Sequence, residues 1–168
     1  MRAADRGEYL YLLALGSNRP LSCALTPDKL IAAALEEVGR QAGEVVAVAP
    51  VLRTAPLGPS RRRFANSALL LATTLEPMAL LRRLQSIERH FGRQRYRRWG
   101  ERRLDIDIIL WSGGVVRSKR LHIPHPAYRL RDFVLRPAMA IAPDWRDPVS
   151  SLSIRHLAAR LHKPRRQG

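Results

Sequence analysis

Two stretches of helical periodicity, each opened by a proline, stand between compact apolar runs, and this alternation restricts the fold more than any other feature of the chain. In the first stretch Thr26-Pro27-Asp28 provides an N-cap, a first-turn proline and an early acid. Leu30, Ile31, Ala34, Leu35 and Val38 follow at helical spacing, and Gly39 is the expected stop. In the second, Pro77 opens a helix with Leu80, Leu81, Leu84, Ile87 and Phe91 on one face and Gly92 at its end. Tyr9–Leu15, closed by a Gly16-Ser17-Asn18 turn, reads as a buried strand, as do the β-branched Val45–Leu52, Ala68–Thr73 and Leu104–Leu110. The order β-α-β-β-α-β predicts an α+β fold: a ferredoxin-like core with an antiparallel sheet. Residues 111–168 are expected to add an irregular, proline-containing extension with a short helix near 153–161.

A chain of 168 residues suits one domain, expected over 9–162 between a frayed tail at 1–8 and a basic tail at 163–168. Its apolar runs fall far short of the ~20 residues a membrane span needs, so no membrane association is expected. Residues 1–8 carry no apolar stretch of signal-peptide type. The single cysteine, Cys23, cannot form an internal disulfide, which fits a reducing cytoplasm; a monomer is the expected state. Thirty Lys and Arg against fourteen Asp and Glu give a net charge of +16, carried mainly by arginine. Such a surface attracts polyanions, whether nucleic acid, anionic lipid or nucleotide phosphates.

The segment Leu104-Asp105-Ile106-Asp107-Ile108 is the most informative for chemistry. On a strand the apolar residues face one side and the two aspartates the other, with Cα atoms about 6.5–7 Å apart. Two converging carboxylates suit Mg²⁺, which is usually held by one or two of them together with substrate phosphates; the alternative is a solvated polar face. Ahead of the pair runs Gly92-Arg93-Gln94-Arg95-Tyr96-Arg97-Arg98-Trp99-Gly100-Glu101-Arg102-Arg103. So many cations beside two acids fit a bound polyphosphate, or simply a solvated basic loop. No Walker A sequence occurs, so a nucleotide would be held by side chains. Thr54-Ala55-Pro56-Leu57-Gly58-Pro59 and Phe64-Ala65-Asn66 bound a loop with an aromatic ring and an amide, groups that suit a flat, hydrogen-bonding heterocycle; a surface loop is the plain alternative. Pro124-His125-Pro126 and Arg131-Asp132-Phe133 add an imidazole in a rigid turn and another cation. Glu88 reads most simply as an ion-pair partner for arginine.

Together these segments resemble the 6-hydroxymethyl-7,8-dihydropterin pyrophosphokinase family of folate biosynthesis. The likeness runs from Leu12–Asn18 through Thr54–Asn66, Ile87-Glu88, Gly92–Asp107 and Pro124–Phe133 to Ile141-Ala142-Pro143, with the W-G-x-R-x-L-D-I-D run after G-R-x-R its most specific part. The resemblance implies an enzyme that moves the pyrophosphoryl group of ATP onto the pterin hydroxymethyl oxygen and releases AMP. It implies two Mg²⁺ ions on Asp105 and Asp107, with Arg93 and Arg102 engaging the phosphates as catalytic residues. Glu88, Arg95, Arg98, Arg120, His125 and Arg131 match ATP contacts. Thr54, Pro56, Leu57, Phe64, Asn66, Trp99 and Phe133 match the pterin pocket, and loops 55–65 and 93–103 match water-excluding lids. Departures from the family pattern include Ser60-Arg61-Arg62-Arg63, a shorter Arg-rich loop, Ala55, Glu101 and Pro126.

The rival reading is a basic ferredoxin-like nucleic-acid-binding protein, supported by the charge. Against it stand the missing aromatic signature of an RNA-binding sheet and two acids that would repel a phosphate backbone. Nucleic acid is therefore not an expected partner.

Overall fold

A computed structural model of the chain describes residues 7–20, 25–55, 63–92 and 103–163. Strand β1 (Tyr9–Ser17) leads to helix α1 (Pro27–Ala42), β2 (Glu44–Val48), β3 (Leu52–Thr54) and β4 (Phe64–Thr73). Helix α2 (Pro77–His90) and β5 (Asp105–Trp111) follow. The rest comprises a short ribbon of β6 (Val116–Arg117) and β7 (His122–Ile123), a 3-10 turn at Tyr128–Leu130, and helices α3 (Asp132–Ile141) and α4 (Ile154–His162).

The main sheet has the order β2-β4-β1-β5, with β3 also on β4, and every adjacent pair is antiparallel. Each helix of the βαββαβ core therefore joins strands that flank a third, the ferredoxin-like arrangement. The expected single strand Val45–Leu52 is two strands. Pro50 has no N–H for the ladder, and residues 49–51 step out of it. Ala49 N–H still donates to Ala68 O at 2.8 Å, so β2 and β3 run along successive halves of β4.

Helix α1 does not stop at Gly39 but continues to Ala42. A glycine inside a helix costs only about 1 kcal/mol, and burial of Val38 and Ala42 outweighs it. The stop is Gly43, with φ of 153°, where a Cβ would lie 2.3 Å from the Ala72 carbonyl oxygen. Only glycine fits there.

Helices α1 and α2 cover one face of the sheet, where Tyr11, Leu13, Leu15, Leu69, Leu71, Ile106 and Ile108 meet Leu30, Ile31, Leu80, Leu84 and Ile87. The other face carries a second core of Leu12, Ala68, Leu70, Ile109 and Leu110 against Val134, Leu135, Ala138, Ile154 and Leu157. The C-terminal region is thus more ordered than its prolines suggest. Helix α3 holds Pro137 in its interior, and burial of Val134, Leu135, Pro137 and Ala138 offsets the lost hydrogen bond. Helix α4, expected near 153–161, starts behind Ser153, whose hydroxyl accepts His156 N–H.

Asp147, fully buried, ties this second layer together. One carboxylate oxygen accepts the Tyr128 hydroxyl and Arg129 Nε, and the other accepts Val149 and Ser150 N–H at 2.7 and 3.1 Å. Burial pushes its pKa up, but the Arg129, Tyr128 and backbone hydrogen bonds prevail and hold it at about 2. Because the folded value lies below the unfolded one, this stabilisation is complete above pH ~4 and fades as pH falls towards 2. Asp147→Ala strands the buried Tyr128 hydroxyl and the half-buried Arg129 guanidinium and is expected to cost about 2–3 kcal/mol in urea unfolding at pH 7, with a smaller difference between variant and wild type at pH 3.

Candidate active site

Strand β5 forms one edge of the sheet, and its pairing with β1 sets Asp105 opposite Gly16 and Asp107 opposite Ala14. Ile106 and Ile108 enter the α1/α2 core, so the two half-buried aspartates face the α3/α4 side. Ile109 is an extra residue in β5, because Leu13 pairs with Ile108 and Leu12 with Leu110. This bulge puts both Ile109 and Leu110 into the second core, so the polar end of β5 gives way abruptly to an apolar end.

Across β1, Gly16 pairs with Asn66 of β4, which in turn pairs with Leu52 of β3. Asp105, Gly16 and Asn66 therefore form one cross-strand row on one face, and two strand spacings put its ends about 9.5 Å apart. Between the ends β1 offers only Gly16 and Ala14, the smallest side chains available, which leaves a shallow trough on the sheet. Asn66 is buried, and its Nδ2 donates to Thr54 Oγ1 at 3.0 Å. That bond fixes the amide, whose Oδ1 would lie 3.4 Å from a Cβ at position 16. Thr54 itself pairs with Phe64.

His125 reaches the aspartates from the segment after β7. Its N–H donates to Ile109 O at 3.0 Å, its Nδ1 accepts Ala127 N–H, and its Nε2 faces Asp107 Oδ2 at 4.0 Å. The Nδ1 bond leaves the ring proton on Nε2, towards the carboxylate. Burial pushes the imidazole pKa below its usual value, Arg131 adds to the shift, and Asp105 opposes it. Arg131 is the N-cap of α3, with its guanidinium 5.8 Å from the Phe133 ring centroid. Helix α3 packs on β4, β1 and β3, the strands that carry the trough.

Most of the described residues expected at a site thus share one side of the sheet: Asp105, Asp107, Asn66, Thr54 and Phe64 on its strands, with His125, Arg131 and Phe133 at its margin. Arg120 is exposed in the turn between β6 and β7. Glu88 is buried on α2, on the opposite side of the sheet, and its Oε1 accepts Ile106 N–H at 2.7 Å. Its position one turn after Leu84 is the sequence signal for that burial. Gly16 and Ala14 were not expected as site residues; their signal is small size at alternate positions of an otherwise bulky strand. Pro56, Leu57, Arg93, Arg95, Arg98, Trp99 and Arg102 lie outside the described residues, as do Arg61, Arg62, Glu101, Cys23 and most of both expected tails.

Among the described residues no group of three or more His, Cys, Asp or Glu side chains is placed to hold a metal. Two carboxylates at i and i+2, half open to solvent, fit a hard divalent ion that completes its shell with phosphate oxygens and water. They do not form a closed protein cage.

The sequence model of one family, described as 7,8-dihydro-6-hydroxymethylpterin-pyrophosphokinase, matches residues 12–143, from β1 to just past α3. Among curated relatives, the Pseudomonas aeruginosa 2-amino-4-hydroxy-6-hydroxymethyldihydropteridine pyrophosphokinase is 42% identical over 138 residues, 81% of this chain and 82% of its own. Its Haemophilus influenzae namesake is 38% identical over 79% of this chain and 81% of its own. The Synechocystis namesake is 40% identical over 72% of this chain, and the match spans 63% of the relative's length. A crystal structure of an HPPK-DHPS protein in complex with substrates superposes with a TM-score of 0.74 at 12% identity, over 91% of this chain and 43% of that one, and so supports the fold alone. On the family match and these identities, the chain belongs to the 7,8-dihydro-6-hydroxymethylpterin-pyrophosphokinase family.

Proposed function

We propose that this chain transfers the β,γ-pyrophosphoryl group of ATP to the hydroxymethyl oxygen of 6-hydroxymethyl-7,8-dihydropterin, releasing AMP, as a step of folate biosynthesis. The observation that carries the reading is the row Asp105–Gly16–Asn66: carboxylates at one end, a fixed amide at the other, and only a half-buried glycine between. Asn66 hydrogen-bonds the pterin edge, Thr54 orients Asn66, and Phe64 and Phe133 supply aromatic faces. Asp105 and Asp107 would hold Mg²⁺, two ions in this reading, which would neutralise the triphosphate and polarise the phosphorus under attack.

The hydroxymethyl oxygen attacks the β-phosphorus and releases its proton to water, the bond to the α,β-bridging oxygen breaks, and AMP leaves with that oxygen. Such a transfer depends on in-line positioning and charge neutralisation more than on covalent help. Arg131, at the margin of the row, meets the growing and departing charges in this reading, and the resemblance gives Arg93, Arg95, Arg98, Arg102 and Arg120 the same task. His125, with its proton on Nε2, turns that N–H towards Asp107 Oδ2 at 4.0 Å. The proposed enzyme is a cytoplasmic monomer, and no helix among the described residues is long and apolar enough to cross a membrane.

The test is AMP formation from ATP and Mg²⁺ with and without the pterin. AMP that depends on both pterin and metal is the expected result; none from folded protein would overturn the reading. Within the pocket, Asn66→Ala is expected to raise the pterin Kd about 10–30-fold, the loss of one to two hydrogen bonds in a buried site. Binding of an ATP analogue, measured by calorimetry, should change less than about threefold.

A further inference from the structure

Glu88 is a carboxylate with 1% of its surface exposed, on a helix that faces away from the trough, and the chemistry above makes no use of it. One of its partners is informative. In an antiparallel ladder successive residues point their N–H groups alternately to either side of the strand. Ile106 sits between Asp105 and Asp107, and its N–H meets Glu88 Oε1 at 2.7 Å rather than a strand. Because β5 is the last strand of the sheet on this side, that N–H belongs to the sheet's free edge. Three residues on, His125 N–H caps the Ile109 carbonyl. The strand that presents both aspartates is therefore pinned by β1 along one side and at two points along the other.

We infer that Glu88 is a positioning residue: by binding the Ile106 amide it fixes the pleat of β5 that aims Asp105 and Asp107 at the same metal–phosphate site. The inference rests on the pyrophosphokinase reading for its effect on turnover, and it gives Glu88 a task at the backbone of the metal-binding strand. Outer partners that orient metal ligands typically matter 10–100-fold in metal affinity or activity.

The experiment compares wild type with Glu88→Gln, which keeps an acceptor of the same reach, and Glu88→Leu, which keeps the volume and removes the acceptor. Two quantities are read: exchange of the Ile106 amide by NMR, and the Mg²⁺ concentration giving half-maximal AMP formation. In wild type the Ile106 amide should exchange slowly despite its place on an edge strand. In Glu88→Leu it should exchange at least ~10-fold faster, and the half-maximal Mg²⁺ concentration should rise about 10-fold or more. Glu88→Gln should stay within about threefold of wild type in both.

An Ile106 amide that exchanges freely in wild type would overturn the inference even if neither variant folds. So would unchanged Mg²⁺ dependence in folded Glu88→Leu, or a Glu88→Gln defect equal to that of Glu88→Leu, which would point to charge rather than to the amide contact. Failure of the functional reading is seen separately, as absence of pterin-dependent AMP from wild type whatever the Ile106 amide does.

Discussion

Alanine at position 107 should lower kcat for pterin-dependent AMP formation by about a thousandfold or more. The reasoning starts from position. Asp107 alternates with buried isoleucines, faces Ala14 across the ladder and belongs to neither apolar core. Removing a half-exposed carboxylate there leaves the packing untouched, so the melting temperature should move by no more than about 2–3 °C. What is lost is half of the oxygen pair proposed to hold the metal. Metal stabilisation of a phosphoryl-type transition state is worth several kcal/mol, and each 1.36 kcal/mol is tenfold in rate. Asp107→Asn keeps the shape and loses the charge, so it should fall nearly as far. Steady-state kinetics at saturating Mg²⁺, with circular dichroism for the fold, provide the check. More than about a tenth of wild-type activity in Asp107→Ala would remove that residue from the metal site.

Filling the trough should be nearly as damaging, and selectively so. Gly16 lies between Asp105 and Asn66, and even a Cβ there would come within 3.4 Å of the Asn66 amide oxygen. An alanine is thus tolerable, whereas a leucine would project over the floor that the heterocycle is proposed to occupy. Gly16→Leu is expected to weaken pterin binding roughly a thousandfold, about 4 kcal/mol. Gly16→Ala should cost less than about tenfold. The backbone at position 16 is ordinary strand, half-buried, so neither change demands an unusual φ. Binding of a non-hydrolysable ATP analogue with Mg²⁺ should survive both substitutions, which calorimetry on the two ligands separately would reveal. If Gly16→Leu binds pterin normally, the heterocycle lies elsewhere.

The core topology was legible because its signals are local. Proline at the first turn of α1 and α2, apolar residues at helical spacing, and alternating Leu104–Ile108 each name their element without reference to the rest of the chain. Where distant packing decides, the local signal misled. Gly39 looks like a helix end, but the real terminus at Gly43 is set by the Ala72 carbonyl on a strand some thirty residues away. Helix α3 hides behind Pro137, and only the apolar face of the sheet explains why a helix is stable there.

The site followed the same division. That Asp105 and Asp107 share a face follows from strand alternation alone. That Asn66 lies in register with Asp105, one strand removed, depends on two ladders and cannot be read from spacing. Glu88 shows the limit most clearly: a charged residue beside an arginine-rich segment invites an exposed position, yet its place one turn after Leu84 puts it inside, with the Ile106 amide on its Oε1.

The central claim is that metal-bound triphosphate and pterin meet end to end along the row from Asp105 to Asn66. It is tested most directly by paramagnetic relaxation of the pterin protons in a complex with Mn²⁺ and α,β-methylene ATP. The strand spacing predicts strong relaxation of the hydroxymethyl protons, corresponding to a metal distance below about 10 Å, and its loss when Asp105 and Asp107 are both replaced by asparagine. A pterin that binds this complex yet relaxes no faster than with Mn²⁺ free in solution would contradict the account.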